Sequence, residues 1–81
     1  MKRNSRAEQI LVDMVKIMKE LRLQKGFSHE TLAQRAGITR PAVSHIEAGK
    51  RRPSLMVVLK LAHALEQELS DIAKQSETSC K

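Results

Sequence analysis

The feature of the sequence that most constrains the fold is a pair of short apolar-periodic stretches within residues 28–48, separated by a turn that begins at Gly37. Ser28 is a good N-cap for the first stretch, and Thr39 can cap the second. Glycine readily adopts the left-handed backbone that turns a chain sharply. Ala33 is small enough for a second helix to cross closely. The segment therefore predicts two short helices joined by a tight turn.

The flanking sequence predicts three more helices. Apolar residues recur at helical spacing from about Ala7 to Gln24, and Gly26 supplies a stop. Ser54 is the expected cap of a fourth helix, and a short fifth helix is expected at about 69–74. The predicted apolar face of the fourth helix is Leu55, Val58, Leu59, Ala62 and Leu65. Pro41 biases the preceding residue away from helical angles, so the third helix is capped by either Thr39 or Arg40.

Length and composition favour one all-α domain. The chain has 81 residues, is 41% hydrophobic and contains Phe27 as its single aromatic residue. Such a core suits packed helices better than sheets, which favour aromatic and β-branched residues. We expect a basic N-terminal arm at residues 1–6, one domain at 7–74 and a polar tail at 75–81.

The net charge of +6 is concentrated in the middle of the chain. Residues 35–60 contain six basic residues and one acidic residue, whereas residues 61–81 are net negative. A basic patch of this kind favours contact with a polyanion, although a solubilising surface is the simpler alternative. The densest part is Lys50-Arg51-Arg52, which we call the basic loop.

Several function classes are disfavoured. The single Cys80 excludes an intramolecular disulfide and fits a reducing cytoplasm. The polar start and interrupted apolar stretches predict neither a signal peptide nor a membrane span. The histidines are too far apart for a close metal-ligand motif, and Ser44 and His45 point apart because they are adjacent on a helix. We expect no metal, no cofactor and no enzymatic activity.

The pair of short helices resembles a helix-turn-helix. The stretches LRLQKGFSHETLAQRAGIT, VSHIEAGKRRPS and VVLKLAHAL also resemble the phage-repressor and Cro-like regulators, the xenobiotic-response-element family. The resemblance runs from about Met14 to Ile72. It implies a compact five-helix, lambda-repressor-like domain that binds double-stranded DNA, usually as a homodimer on a palindromic operator.

The resemblance also implies roles for individual residues, with the helix from Thr39 to Glu47 as the recognition helix. The implied base-reading residues are Arg40, Pro41, Ala42, Ser44 and His45. The implied phosphate-binding residues are His29, Thr39, Lys50, Arg51 and Arg52. The family often has glutamine or a similar polar residue at the positions of His29 and Pro41, so its base preference does not transfer. Arg22 and Glu47 match a pair that forms a buried structural salt bridge in the family.

Two questions stay open at this stage. The apolar residues Ile10, Leu11, Met14, Met56 and Val57 either complete the core or form a dimer contact. The chain is either a repressor or activator acting alone, such as a phage-type repressor or a restriction–modification controller, or an antitoxin that also binds a toxin. A protein-interaction module without DNA binding is disfavoured by Arg40 and the basic loop.

Overall fold

In the computed structural model, residues 5–66 and residue 74 are described, and the regular secondary structure in this part of the chain is all helical. Its four multi-residue helices are α1 (Ser5–Gln24), α2 (His29–Ala36), α3 (Arg40–Glu47) and α4 (Leu55–Ala64). The all-helical class is thus confirmed here. Apart from the helical residue Lys74, the predicted fifth helix at 69–74 lies outside the described residues, as does the tail at 75–81. α1 begins at Ser5, inside the predicted basic arm.

Three helices begin at the predicted hydroxyl caps. The side chains of Ser28, Thr39 and Ser54 accept hydrogen bonds from the backbone N–H groups three residues ahead, at 3.0, 3.2 and 3.2 Å. Each bond satisfies one of the N–H groups that a helix start leaves without an intrahelical partner. The bond at Thr39 shows that this residue, and not Arg40, caps α3, which begins at Arg40.

The turn between α2 and α3 also has its predicted geometry. Gly37 has φ 73°, in the left-handed region, and its N–H donates to the carbonyl of Gln34 at 3.3 Å. The N–H of Ile38 donates to the carbonyl of Ala33 at 3.0 Å. These bonds satisfy the carbonyls at the end of α2. Because the turn is tight, α3 starts beside α2 and packs closely against it.

Side chains from all four helices form one core. Its largest fully buried side chains are Leu32, Val43 and Leu65. The remaining members of the core cluster are Met14, Met18, Ala33, Ala36, Ile46, Val58, Leu61, Ala62 and Ala64. Full burial of one leucine or valine contributes about 1.5–3 kcal/mol. The side of α3 that carries Val43 and Ile46 therefore packs in the core, and the opposite side of the helix faces solvent.

The predicted apolar face of α4 is partly wrong. Leu55 and Leu59 are 69% and 41% exposed, while Leu61 and Ala64 take places in the core. The sequence of α4 is almost continuously apolar, so periodicity alone does not select its inner face. Together with Met56, which is 60% exposed, Leu55 and Leu59 leave an apolar surface on the outside of α4.

Candidate nucleic-acid interface

α3 divides its residues between the core and solvent. Arg40, Pro41 and His45 are exposed and Ser44 is half-buried, and we call these four residues the outer face of α3. They lie along the first turn and a half of the helix, the part that enters the major groove first in helix-turn-helix proteins. Arg40 is the only cation on this face, and its side chain has no ion pair within residues 5–66.

Ala42 does not belong to this outer face. The residue is only 8% exposed and lies on the buried side of α3 with Val43 and Ile46. A buried methyl group cannot meet a thymine methyl without displacing α3 from the core, so the expected base contact by Ala42 is corrected to a packing role. The spacing of the three residues, at i, i+1 and i+4, is a helical core pattern that indicates this burial in the sequence.

Thr39 lies at the start of α3 and is exposed. Its hydroxyl oxygen accepts from the N–H of Ala42 at 3.2 Å. A hydroxyl can accept one bond and donate another, so this cap leaves the O–H proton of Thr39 available to a phosphate.

The basic loop is attached directly to the end of α3. The backbone N–H groups of Lys50 and Arg51 donate to the carbonyl of His45 at 2.9 and 3.3 Å. Gly49, just before the loop, has φ 78°, which turns the chain away from the helix axis. All three side chains of the loop are exposed. α3 therefore carries an exposed cation, Arg40, at its start and the exposed loop cations directly after its end.

Arg52 differs from the other two loop cations because its guanidinium has a partner. Its Nη2 lies 2.8 Å from Oε2 of Glu8, in the first turn of α1. The side chains of Arg52 and Glu8 are 68% and 48% exposed. The two residues are 44 positions apart in the sequence, and no local pattern indicates their contact. Lys50 and Arg51 have no ion pair within residues 5–66.

The structure contains the ion pair between Arg22 and Glu47 that the resemblance implies. Nε and Nη2 of Arg22 donate to the two carboxylate oxygens of Glu47 at 2.8 and 3.0 Å. Both side chains are only 9% exposed. The third nitrogen, Nη1, donates to the carbonyl of Phe27 at 2.8 Å. This bidentate pair joins the end of α1 to the end of α3 and fixes the angle at which α3 is presented.

His29 completes this group of contacts. Its Nε2 lies 3.0 Å from Oε1 of Glu47, and its side chain is 31% exposed. An ionised carboxylate only accepts hydrogen bonds, so Nε2 carries the proton in this contact. Nδ1 is then a hydrogen-bond acceptor in the neutral ring and can donate to a phosphate only when the ring carries a second proton, so the phosphate contact expected of His29 requires the imidazolium form. We call Arg22, His29, Glu47 and the Phe27 carbonyl the Glu47 cluster.

Other kinds of site find no support in the described residues. Among them, no group of three or more histidine, cysteine or acidic residues is placed to hold a metal ion. None of the helices described is both long enough and apolar enough to cross a membrane.

Comparison with known families and proteins agrees with this geometry. The family profile described as helix-turn-helix matches residues 18–72. The HTH-type transcriptional regulator YgzD of Bacillus subtilis is 40% identical over 55 residues, which cover 68% of this chain and 83% of that protein. An HTH-type transcriptional regulator of Methanothermobacter thermautotrophicus is 35% identical over 66 residues, 80% of this chain and 96% of that protein.

Two solved structures are similar over most of the chain. The restriction-modification controller protein C.AhdI from Aeromonas hydrophila superposes with a TM-score of 0.71 at 44% identity, over 76% of this chain and 94% of that one. A point mutant of the restriction-modification controller protein C.Esp1396I superposes with a TM-score of 0.81 at 24% identity, over 88% of this chain and 92% of that one. The second match shows the shared fold alone.

Proposed function

On the premise that this chain belongs to the helix-turn-helix family of DNA-binding transcriptional regulators, and not to an enzyme family, we propose that it binds an operator as a homodimer. Each protomer places the outer face of α3 in the major groove of one half-site. The observation that carries this proposal is that one helix, α3, has the exposed Arg40 at its start and a cationic loop bonded to its last turn.

Sequence is read by the outer face of α3. Arg40, at the first position of the helix, is the residue for a bidentate contact with O6 and N7 of a guanine. Ser44 and His45 supply further hydrogen-bonding groups, and Pro41 supplies an apolar contact for a thymine methyl. Each good bidentate pair contributes about 1–3 kcal/mol of discrimination between bases.

Position on the DNA is set by phosphate contacts, which carry no sequence information directly. Lys50 and Arg51 are the primary phosphate ligands in this proposal, because their charges are exposed and unpaired within the described part of the chain. The hydroxyl of Thr39 donates to a phosphate near the start of α3, and Nδ1 of His29 does so only when the ring carries a second proton. Arg52 contributes less than the other two loop cations, because its charge is already paired with the carboxylate of Glu8.

The homodimer is supported by the apolar surface of α4. Leu55, Met56 and Leu59 are all more than 40% exposed on one helix. Adjacent exposed residues of this size favour an interaction site over free surface. A second copy is the occupant that fits, because one recognition helix reads only a few base pairs and a two-fold dimer doubles the site. Met14, one of the residues considered for the dimer contact, is instead in the core at 9% exposure.

Among regulators, the comparisons favour a restriction–modification controller over an antitoxin. The 44% identity to C.AhdI spans nearly all of that protein. We expect the gene for this protein to lie beside genes for a restriction endonuclease and a DNA methyltransferase. A toxin gene in that place would contradict the assignment.

The DNA-binding proposal is tested by gel shifts on a duplex enriched by in vitro selection and on a random duplex, at two salt concentrations. Arg40→Ala is expected to weaken binding to the selected duplex by about 1–3 kcal/mol per half-site and to leave the random duplex nearly unchanged. Lys50→Ala is expected to weaken both duplexes and to reduce the salt slope by about 0.9 per protomer. Lys19→Ala, an exposed cation on α1, is the matched control. Equal losses on both duplexes for Arg40→Ala would refute base reading by this residue.

The dimer is tested by sedimentation equilibrium of Met56→Glu. A carboxylate in the α4 surface is expected to shift the protein from dimer to monomer, because an unpaired charge would be buried in the interface. Leu23→Glu is the control, since Leu23 is 57% exposed but lies on α1. A dimer equally stable in both variants would show that the exposed apolar surface of α4 is not the dimer interface.

A further inference from the structure

The ion pair between Glu8 and Arg52 connects two parts of the chain that the fold does not require to be linked. Both residues line a surface cleft of about 590 Å³ between the N-terminal half of α1 and the basic loop. Their closest atoms are 2.8 Å apart, and both side chains remain largely exposed. Exposed ion pairs contribute little to folding stability, because water and salt screen them. The pair therefore contributes little to the stability of the fold. Its main effect is to pair one of the three positive charges of the basic loop with a negative charge.

We propose that Glu8 limits the affinity of this protein for DNA by acting as an intramolecular competitor of phosphate for Arg52. A carboxylate and a phosphate present the same kind of oxygen acceptors to a guanidinium. The contact with Glu8 is made through Nη2 of Arg52, and it pairs the positive charge that a phosphate would otherwise attract. The inference rests on the proposed function, in which the basic loop meets the DNA backbone.

The competition has a calculable effect on binding. A cation that neutralises a phosphate releases a condensed counterion, and this steepens the salt dependence by about 0.9 units of log K per log salt. Arg52 paired with Glu8 brings no net positive charge to the DNA, so the pair releases no counterion. If Arg52 leaves Glu8, the contact with the carboxylate is lost and a carboxylate remains close to the phosphates. In either case Glu8 cancels the contribution of one cation.

The effect is independent of sequence because it acts on the phosphate backbone. Glu8 thus lowers the affinity for every duplex and leaves the discrimination by Arg40 unchanged. Lys50 and Arg51 have no equivalent partner in residues 5–66 and keep their full contribution. Of the three loop cations, Arg52 is therefore the one whose contribution to DNA binding Glu8 offsets.

The test measures binding of the full chain to a random duplex over a range of salt concentrations. Glu8→Gln is expected to steepen the slope of log K against log salt by about 0.9 per protomer, or about 1.8 for the dimer. Extrapolated from 1 M to 0.1 M salt, this corresponds to about eight-fold tighter binding per protomer and about 60-fold for the dimer. The ratio of affinities for the selected and the random duplex is expected to stay constant. Glu20→Gln, which removes the same charge from α1 at an exposed position, is expected to change binding by less than about two-fold, because exposed charges beyond one Debye length are screened.

The Arg52→Gln background separates competition from a general effect of charge. In the Arg52→Gln background, Glu8→Gln is expected to change the affinity for the random duplex no more than Glu20→Gln does, because there is no guanidinium for Glu8 to pair with. An equal gain with and without Arg52, or no gain in the wild-type background, would overturn the inference while the DNA-binding proposal stands. Failure of the wild-type protein to bind any duplex would refute the proposed function itself. Circular dichroism of each variant confirms that it is folded.

Discussion

Replacement of Glu47 by glutamine is the perturbation whose effect follows most directly from the structure. The carboxylate of Glu47 receives two hydrogen bonds from Arg22 and one from His29, at 2.8–3.0 Å. The Glu47→Gln variant retains the shape of the side chain but leaves the guanidinium of Arg22, 9% exposed, without its counter-ion. Breaking a buried pair in this way costs about 3–5 kcal/mol.

The expected loss lies at the lower end of that range, about 3 kcal/mol, for a structural reason. Nη1 of Arg22 keeps its bond to the carbonyl of Phe27, so one part of the guanidinium stays satisfied. Small domains are stable by only about 5–15 kcal/mol, so this loss is a large fraction of the total. His29 loses a partner as well, but at 31% exposure its ring can be hydrated.

The assay is urea unfolding followed by circular dichroism, with the free energy of unfolding obtained by linear extrapolation. With an m-value of about 1–3 kcal/mol/M, a loss of 3 kcal/mol lowers the urea midpoint by about 1 M or more. Glu20→Gln, on the exposed side of α1, is the control and is expected to change the free energy by less than about 0.5 kcal/mol.

A double variant tests whether the stranded charge is the cause. Arg22→Met combined with Glu47→Leu removes both charges and replaces them with apolar groups of similar size. It is expected to be more stable than Glu47→Gln alone, because no buried ion is left without a partner. A Glu47→Gln variant as stable as the Glu20→Gln control would refute the reasoning. A double variant no more stable than Glu47→Gln would also refute it.

Three further changes test the local structure, each measured as the free energy of urea unfolding. Ser54→Ala is expected to cost about 1 kcal/mol, because the N–H of Val57 loses its cap, and Ser54→Thr should restore most of the loss. Leu32→Ala, at a site 2% exposed, is expected to cost about 2–5 kcal/mol through the cavity that it leaves. Gly37→Ala is expected to cost about 1–2 kcal/mol from the backbone alone, since φ is +73° and nothing lies within 4 Å of an added Cβ.

The parts of the fold that were predicted correctly depend on chemistry within a few residues. A serine or threonine three residues before a free N–H group, as at Ser28 and Thr39, forms its cap whatever surrounds it. A glycine at a helix end, as at Gly37, allows the left-handed turn for the same local reason. These signals placed the two short helices and hence the outer face of α3.

The parts that were missed depend on contacts between distant residues. His29 faces Glu47 across 18 positions, and Arg52 reaches Glu8 across 44. No periodicity encodes such contacts, because they depend on how helices cross. The ion pair between Arg22 and Glu47 was expected only because a family resemblance supplied the long-range information. Ala42 is different, since its spacing from Val43 and Ile46 already indicated that it is buried.

The central claim is that the outer face of α3 reads bases in the major groove, and methylation interference tests it most directly. Dimethyl sulfate modifies guanine N7, the atom that a bidentate arginine contacts in the major groove. Methylation at two groups of guanines, with centres about 10 base pairs apart, is expected to block binding, and the interference at these positions is expected to be weaker for Arg40→Ala. Binding that is unaffected by guanine methylation, or interference identical in the wild-type protein and in Arg40→Ala, would show that the outer face of α3 does not read guanines through Arg40.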